Sequence, residues 1–164
     1  MNRRDLLILS AAVPALAQNN AWKPQVFDAH QNDTVVALTE LIIPATDTPG
    51  AKAALVNRYI DLLLAEGPGS ERERFLEGLG YLDSYAIQRY RQPFVRCSAA
   101  DQTAVLEAFD ANSQGDTAPG NRFFRMAKQL TARIYYSTQI GYAELNKGGR
   151  VPIAYGCTHP EHQA

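Results

Sequence analysis

Residues 38–51 read LTELIIPATDTPGA, an amphipathic segment running into a proline and then into a dense cluster of turn residues. Leu38, Leu41 and Ile42 follow the i, i+3, i+4 spacing that places apolar side chains on one helical face, and Ile43 widens the stripe. Pro44 disfavours the helical conformation at the residue before it and has no N–H to contribute, so the helix is predicted to end near Ile43. Thr46, Asp47 and Thr48 offer side-chain oxygens to nearby backbone N–H groups. Pro49 has the φ of a first helical turn or a β-turn, and Gly50 permits backbone conformations that other residues avoid. Turn chemistry accounts for every residue type in the stretch, so taken alone it reads as a well-built corner between two helices.

Moving outward, the upstream segment is predicted to start at a cap on Asn32 or Asp33, after an extended arm that contains Trp22, Pro24, Phe27 and His30. Trp22 and Phe27 are read as packing on this domain. Downstream, Val56, Tyr59, Ile60, Leu63 and Leu64 mark a second amphipathic helix, closed by Gly67-Pro68-Gly69. Ser70, Glu71 and Glu73 favour a third helix N-terminus, and Phe75, Leu79, Leu82, Ala86 and Tyr90 supply its apolar face. Gly78 and Gly80 weaken that helix and permit close packing. Ser98 and Asp101 form a capping-box-like pair ahead of Val105, Leu106 and Phe109. Residues 112–120 are a loop by composition. A fifth helix is predicted over 121–140 with Phe123, Phe124, Ala127, Leu130, Ile134 and Thr138 along its stripe, followed by a helical turn over 142–146.

No segment alternates at period two and none repeats. The predicted architecture is all-α, an irregular bundle of five to six helices with an extended N-terminal arm and an irregular C-terminal tail. A length of 164 residues allows one domain, and 16 basic against 17 acidic residues leave no excess positive charge to hold a phosphate backbone. Nucleic acid is excluded as a partner on that ground.

Residues 1–17 have the form of an export signal: Arg3-Arg4, an apolar run to Leu16, and a small-x-small ending at Ala17 where cleavage is expected. Paired arginines before the apolar run resemble a twin-arginine signal, which exports proteins already folded. The mature domain, 18–164, loses two arginines and one aspartate with the signal, leaving 14 basic and 16 acidic residues. The apolar run is too short to span a bilayer comfortably, and no other segment approaches the ~20 residues needed.

Chemistry is sparse. GxGxxG and CxxCH are absent, so neither a dinucleotide loop nor covalent haem attachment is expected. Cys157-x-His159-x-x-His162 has metal-ligand residue types, but Pro160 lies between the histidines and no fourth ligand is marked. No metal site is therefore assigned; an independent periplasmic protein binding metal or a small ligand through that tail is the alternative reading. His30 reads as an exposed or interface residue, and Asp47 as a turn residue before a general base. No serine or cysteine is paired by spacing with a histidine and a carboxylate, so no catalytic residue is assigned. Tyr135 and Tyr136 are consecutive, about 100° apart on a helix, so burying both requires enclosure on two sides, which a partner surface would provide. Cys97 and Cys157 would meet an oxidising compartment after export, where an internal disulfide is the simplest pairing.

The string LIIPATDTPGA, the apolar run YIDLLLAEG, the later YYSTQIGYAEL and the closing GCTHP resemble the gluconate 2-dehydrogenase subunit 3 family, over most of the mature chain. The resemblance implies a small, cofactor-free subunit of a periplasmic, membrane-associated complex. FAD would sit on a glucose-methanol-choline type flavoprotein partner and haem c on a cytochrome c subunit, and the complex would oxidise a sugar, sugar acid or polyol. It also implies that the small subunit supports maturation of the flavoprotein and their joint passage through the twin-arginine translocase. Pro44, Thr46, Asp47, Thr48, Pro49 and Gly50, with Tyr135 and Tyr136, become the motif and interface residues. Cys157, in the terminal GC segment, becomes a candidate for an intersubunit disulfide, with Cys97 reduced and buried. Asn57 departs from the pattern, standing where a helix starter is expected.

Overall fold

The computed structural model describes residues 22–111 and 118–147. Among them are six α-helices and no strand: α1 (Ala29–Ile42), α2 (Val56–Glu66), α3 (Gly69–Tyr90), α4 (Ala99–Ala111), α5 (Ala118–Ser137) and α6 (Gln139–Leu145), with a 3-10 turn over Phe94–Arg96. The all-α expectation holds.

Helix ends follow local chemistry. α1 stops at Ile42 ahead of Pro44, as expected, but it starts earlier than the predicted caps at Asn32 or Asp33. Asp28 is the cap: its carboxylate accepts from the Gln31 N–H, and the Asp28 N–H donates to the Gln31 side-chain oxygen. The extended arm is correspondingly short. α2 spans Val56–Glu66 and α4 opens on the predicted Ser98 and Asp101 pair. α3 opens on Pro68, without the side-chain cap expected from Ser70, and closes on Arg91 in the left-handed region. The predicted fifth helix breaks at Thr138, before Ile140. The Thr138 hydroxyl accepts from the Gly141 N–H and donates to the Tyr135 carbonyl, capping the shorter α6.

α5 is the central element and packs against all five other α-helices. Its inner face, with Phe123, Phe124, Ala127, Thr131, Ile134 and Tyr135, fills the middle of the bundle. Phe75 on α3 sits between Phe27 and Phe123, with ring centroids 5.8 and 5.4 Å apart. Gly78 permits that approach: a Cβ there would lie 2.1 Å from the Phe123 ring. Gly80 meets nothing, so only one of the two glycines serves packing.

Two expected apolar stripes are divided. On α1 the fully buried residues are Thr34, Val35, Leu38 and Thr39, while Leu41, Ile42 and Ile43 are only partly covered. The buried threonines donate to the His30 and Val35 carbonyls, which removes the cost of a lone hydroxyl. On α2, Val56, Ile60 and Leu64 are buried, whereas Tyr59 and Leu63 remain 49% and 42% exposed. The i, i+4, i+8 row faces the core and the rest of that stripe faces out.

Polar anchors fasten α2 to the chain before it. Asn57, anomalous in the sequence, is buried and its amide donates to the Asn32 side chain on α1 at 2.9 Å. Asp61 is 1% exposed and its carboxylate accepts three backbone N–H groups, from Gln25, Val26 and Phe27, at 2.7, 2.9 and 3.1 Å. Phe27 is thereby delivered into the core, and Trp22 lies under the Arg58 guanidinium at 5.0 Å. Both aromatics of the arm pack at home, as expected.

Candidate functional site

The loop 43–51 and the C-terminal end of α5 form one unit. Glu40, on the last turn of α1, organises the loop from below: one carboxylate oxygen accepts the Ala45 N–H at 2.9 Å and the other the Lys52 N–H at 2.8 Å. The backbone closes on itself, with Thr46 N–H to the Thr48 carbonyl at 3.0 Å and Ala51 N–H to the Ile43 carbonyl at 2.9 Å. The Tyr135 phenol then donates to the Pro49 carbonyl at 2.6 Å and ties the loop to the central helix.

Gly50 is required here for space. A Cβ would stand 2.5 Å from both the Ala45 nitrogen and a Glu40 carboxylate oxygen. Its φ lies outside the left-handed region, so the conformational role expected from sequence is corrected to a steric one. Thr46 does something other than the expected capping of a nearby N–H group, since its hydroxyl donates to the Asp47 carboxylate at 2.9 Å, whereas Asp47 does accept a local backbone N–H, its own. That bond, followed by the bond from Asp47's own backbone N–H, holds the Asp47 carboxyl below its ordinary range. Lys147 adds a smaller attraction in the same direction. The exposed tip therefore presents an ionised carboxylate beside the Thr46 hydroxyl.

The paired tyrosines separate. Tyr135 is 3% exposed and Tyr136 44%, with their rings edge-on at 5.2 Å. Enclosure on two sides is not required within this chain, because only one of them is buried. Burial first, then the charge of Glu144 and the neighbouring Tyr136, pushes the Tyr135 phenol above its ordinary value. α6 fits against the same end because Gly141 lies on the Tyr135 carbonyl, where a Cβ would come within 2.0 Å.

Elsewhere, His30 is exposed and pairs with Asp83 at 2.5 Å, and Asp83 also accepts the Phe94 N–H. Cys97 is a free, buried thiol directed at the Gln92 and Pro93 carbonyls. Burial, then Asp101 and Asp83, pushes its pKa up, which lowers the share of reactive thiolate. Arg3, Arg4, Ala17, Cys157, His159 and His162 lie outside the described residues. Among the described residues no group of three His, Cys, Asp or Glu side chains could hold a metal ion. No described helix is long and apolar enough to cross a membrane.

Sequence reasoning missed Glu40 and Asp61, the two carboxylates that place the loop and the arm. The available signal was an acidic residue on the turn before a proline-rich corner, and an aspartate between the isoleucine and leucines of an apolar run. Large apolar side chains that stay exposed gather nearby: of eight such residues among those described, Leu55, Tyr59, Leu62 and Leu63 belong to α2 or its start, and Tyr136, Tyr142 and Leu145 to the α5–α6 corner. The ordered loop 43–51 and these exposed apolar side chains are the surface features that stand out among the described residues.

No curated relative and no solved structure matches the chain. A family model described as gluconate 2-dehydrogenase subunit 3 matches residues 29–150, which takes in the motif loop, all six α-helices and Tyr135. The chain belongs to the gluconate 2-dehydrogenase subunit 3 family.

Proposed function

We propose that this chain is the non-catalytic small subunit of a periplasmic, membrane-associated FAD-dependent dehydrogenase complex. It binds the glucose-methanol-choline type flavoprotein subunit, supports that partner's maturation, and carries it through the twin-arginine translocase by means of Arg3 and Arg4. FAD resides on the flavoprotein and haem c on a cytochrome c subunit, and the complex oxidises a sugar, sugar acid or polyol.

The observation that carries the reading is membership of a subunit family in a chain whose exposed apolar side chains gather on α2 and the α5–α6 corner. A fold that leaves Tyr59, Leu63, Tyr136 and Tyr142 in solvent has a reason to do so when another subunit covers them. The locked 43–51 loop suits the same role, because a pre-ordered surface loses little entropy on docking. Co-export follows from the signal: a folded, flavin-loaded partner without a signal of its own crosses with the subunit that has one.

The test is a pull-down of the tagged, natively exported chain, scanned for flavin absorbance and run on gels with and without reductant. A yellow partner of flavoprotein size is expected, and its release only on reduction would assign Cys157 to the interface. A colourless chain recovered alone overturns the reading.

A further inference from the structure

α2 and the end of α5 flank an open groove of about 430 Å³ lined by Tyr59, Leu62, Leu63, Arg133, Ser137 and Thr138. Leu62 and Leu63 keep 39% and 42% of their surface exposed, so this is an open apolar face and not an enclosed ligand cavity. The residue that begins α2 adds to it. Leu55 sits in the left-handed region at φ 56, ψ 34, a conformation that costs a leucine free energy and that glycine would adopt freely, yet its side chain is 41% exposed. Leu55, Tyr59, Leu62 and Leu63 share the outward stripe of α2.

Arg133 is the one charged side chain lining the groove. Among the described residues it makes no ion pair, and α5 carries Arg122, Arg125, Lys128 and Arg133 with no acidic residue. A second copy docked with the groove on a two-fold axis would bring Arg133 toward its own counterpart, with no carboxylate among the groove's lining residues to neutralise either. An apolar ridge carrying one aspartate or glutamate would satisfy both the leucines and the guanidinium.

We propose that this α2–α5 groove is the docking site for the flavoprotein subunit, which inserts an apolar segment with a carboxylate directed at Arg133. The inference rests on the subunit reading above and assigns it a surface. Leu63 and Tyr59 form the apolar anchor, Arg133 sets the register, and Leu55 extends the contact at the start of α2.

The experiment is co-expression of the full chain with the flavoprotein subunit, followed by affinity purification and measurement of bound flavin per chain. Leu63→Asp and Arg133→Glu are compared with Ile87→Asp, which alters an equally exposed apolar residue on α3, and helicity is checked by circular dichroism. At least tenfold less flavin is expected with Leu63→Asp and with Arg133→Glu, wild-type recovery with Ile87→Asp, and intermediate recovery with Arg133→Lys. Retention by both groove variants, or equal loss with Ile87→Asp, overturns the assignment of the surface and leaves the subunit reading standing. If the wild-type chain captures no flavin, the subunit reading itself fails and the groove proposal with it. Two other occupants would also overturn it: a dimer of the isolated chain that Leu63→Asp dissociates, or tighter flavoprotein binding once residues 148–164 are removed.

Discussion

The Tyr135 phenol and the Pro49 carbonyl are joined at 2.6 Å across 86 residues of chain, so the motif loop is held by the central helix and not by its own sequence neighbours alone. Tyr135→Phe keeps the ring in its pocket and deletes the donor. A loss of about 1 kcal/mol in chemical denaturation is expected, the usual net worth of one such bond, with faster amide exchange in residues 45–50. The pH dependence has a definite sign. The folded-state pKa of Tyr135 is raised, so its contribution is complete below the ordinary tyrosine value of about 10 and is lost as pH rises through the folded value. Wild-type stability should therefore fall more steeply above about pH 10 than that of Tyr135→Phe.

Gly50→Ala should cost more than the tyrosine change. The added methyl meets the Ala45 nitrogen and the Glu40 carboxylate, both at 2.5 Å, and relieving the clash breaks the bonds that Glu40 makes to Ala45 and Lys52. A loss of about 2 kcal/mol, within the range for overpacking, is expected in urea denaturation. Unchanged stability would show that the loop is not held by Glu40.

Asp61 holds three backbone donors in a site where it is 1% exposed. Asp61→Ala leaves those N–H groups without their acceptor and frees the segment that inserts Phe27. About 3 kcal/mol of destabilisation is expected, as for other losses of a buried charge-assisted network. Limited proteolysis with chymotrypsin offers a separate check, with cleavage after Phe27 appearing well before the helical core is cut.

Leu55→Gly should stabilise the isolated chain by about 1 kcal/mol, because glycine adopts φ 56, ψ 34 without the steric cost a leucine bears. The same variant should bind the flavoprotein less well, since 41% of the leucine surface is outside the fold. Opposite changes in melting temperature and in flavin recovery would show that the strain is retained for an interface. A fall in both would show instead that Leu55 packs at home.

Much of this architecture was readable from residue order alone because helix ends are local events. Pro44 before a turn, Gly67-Pro68-Gly69, and Ser98 three residues ahead of Asp101 act on backbone groups within a few positions, and the structure ends or starts helices within a residue or two of each. Where the α1 cap differs from the expected Asn32 or Asp33, the true cap at Asp28 is also local and consists of an Asp and a Gln spaced three apart.

The site was less legible. Periodicity placed Tyr59 and Leu63 with Ile60 and Leu64, since all four fall on one broad apolar arc. Which part of that arc is covered depends on where α5 and α1 lie, and helix spacing carries no record of it. Adjacent Tyr135 and Tyr136 were likewise equivalent until the position of Pro49 selected one of them.

Residue order therefore settled the helical class, the turn at 43–51 and the family motif, because propensity, capping and periodicity are short-range properties. The packed fold alone settled that Glu40 braces the loop, that Asp61 gathers the arm, and that half of α2's apolar arc is left outside. Those outcomes depend on groups brought together through space, and a carboxylate's donors or a leucine's exposure are not defined until the chain has closed around them.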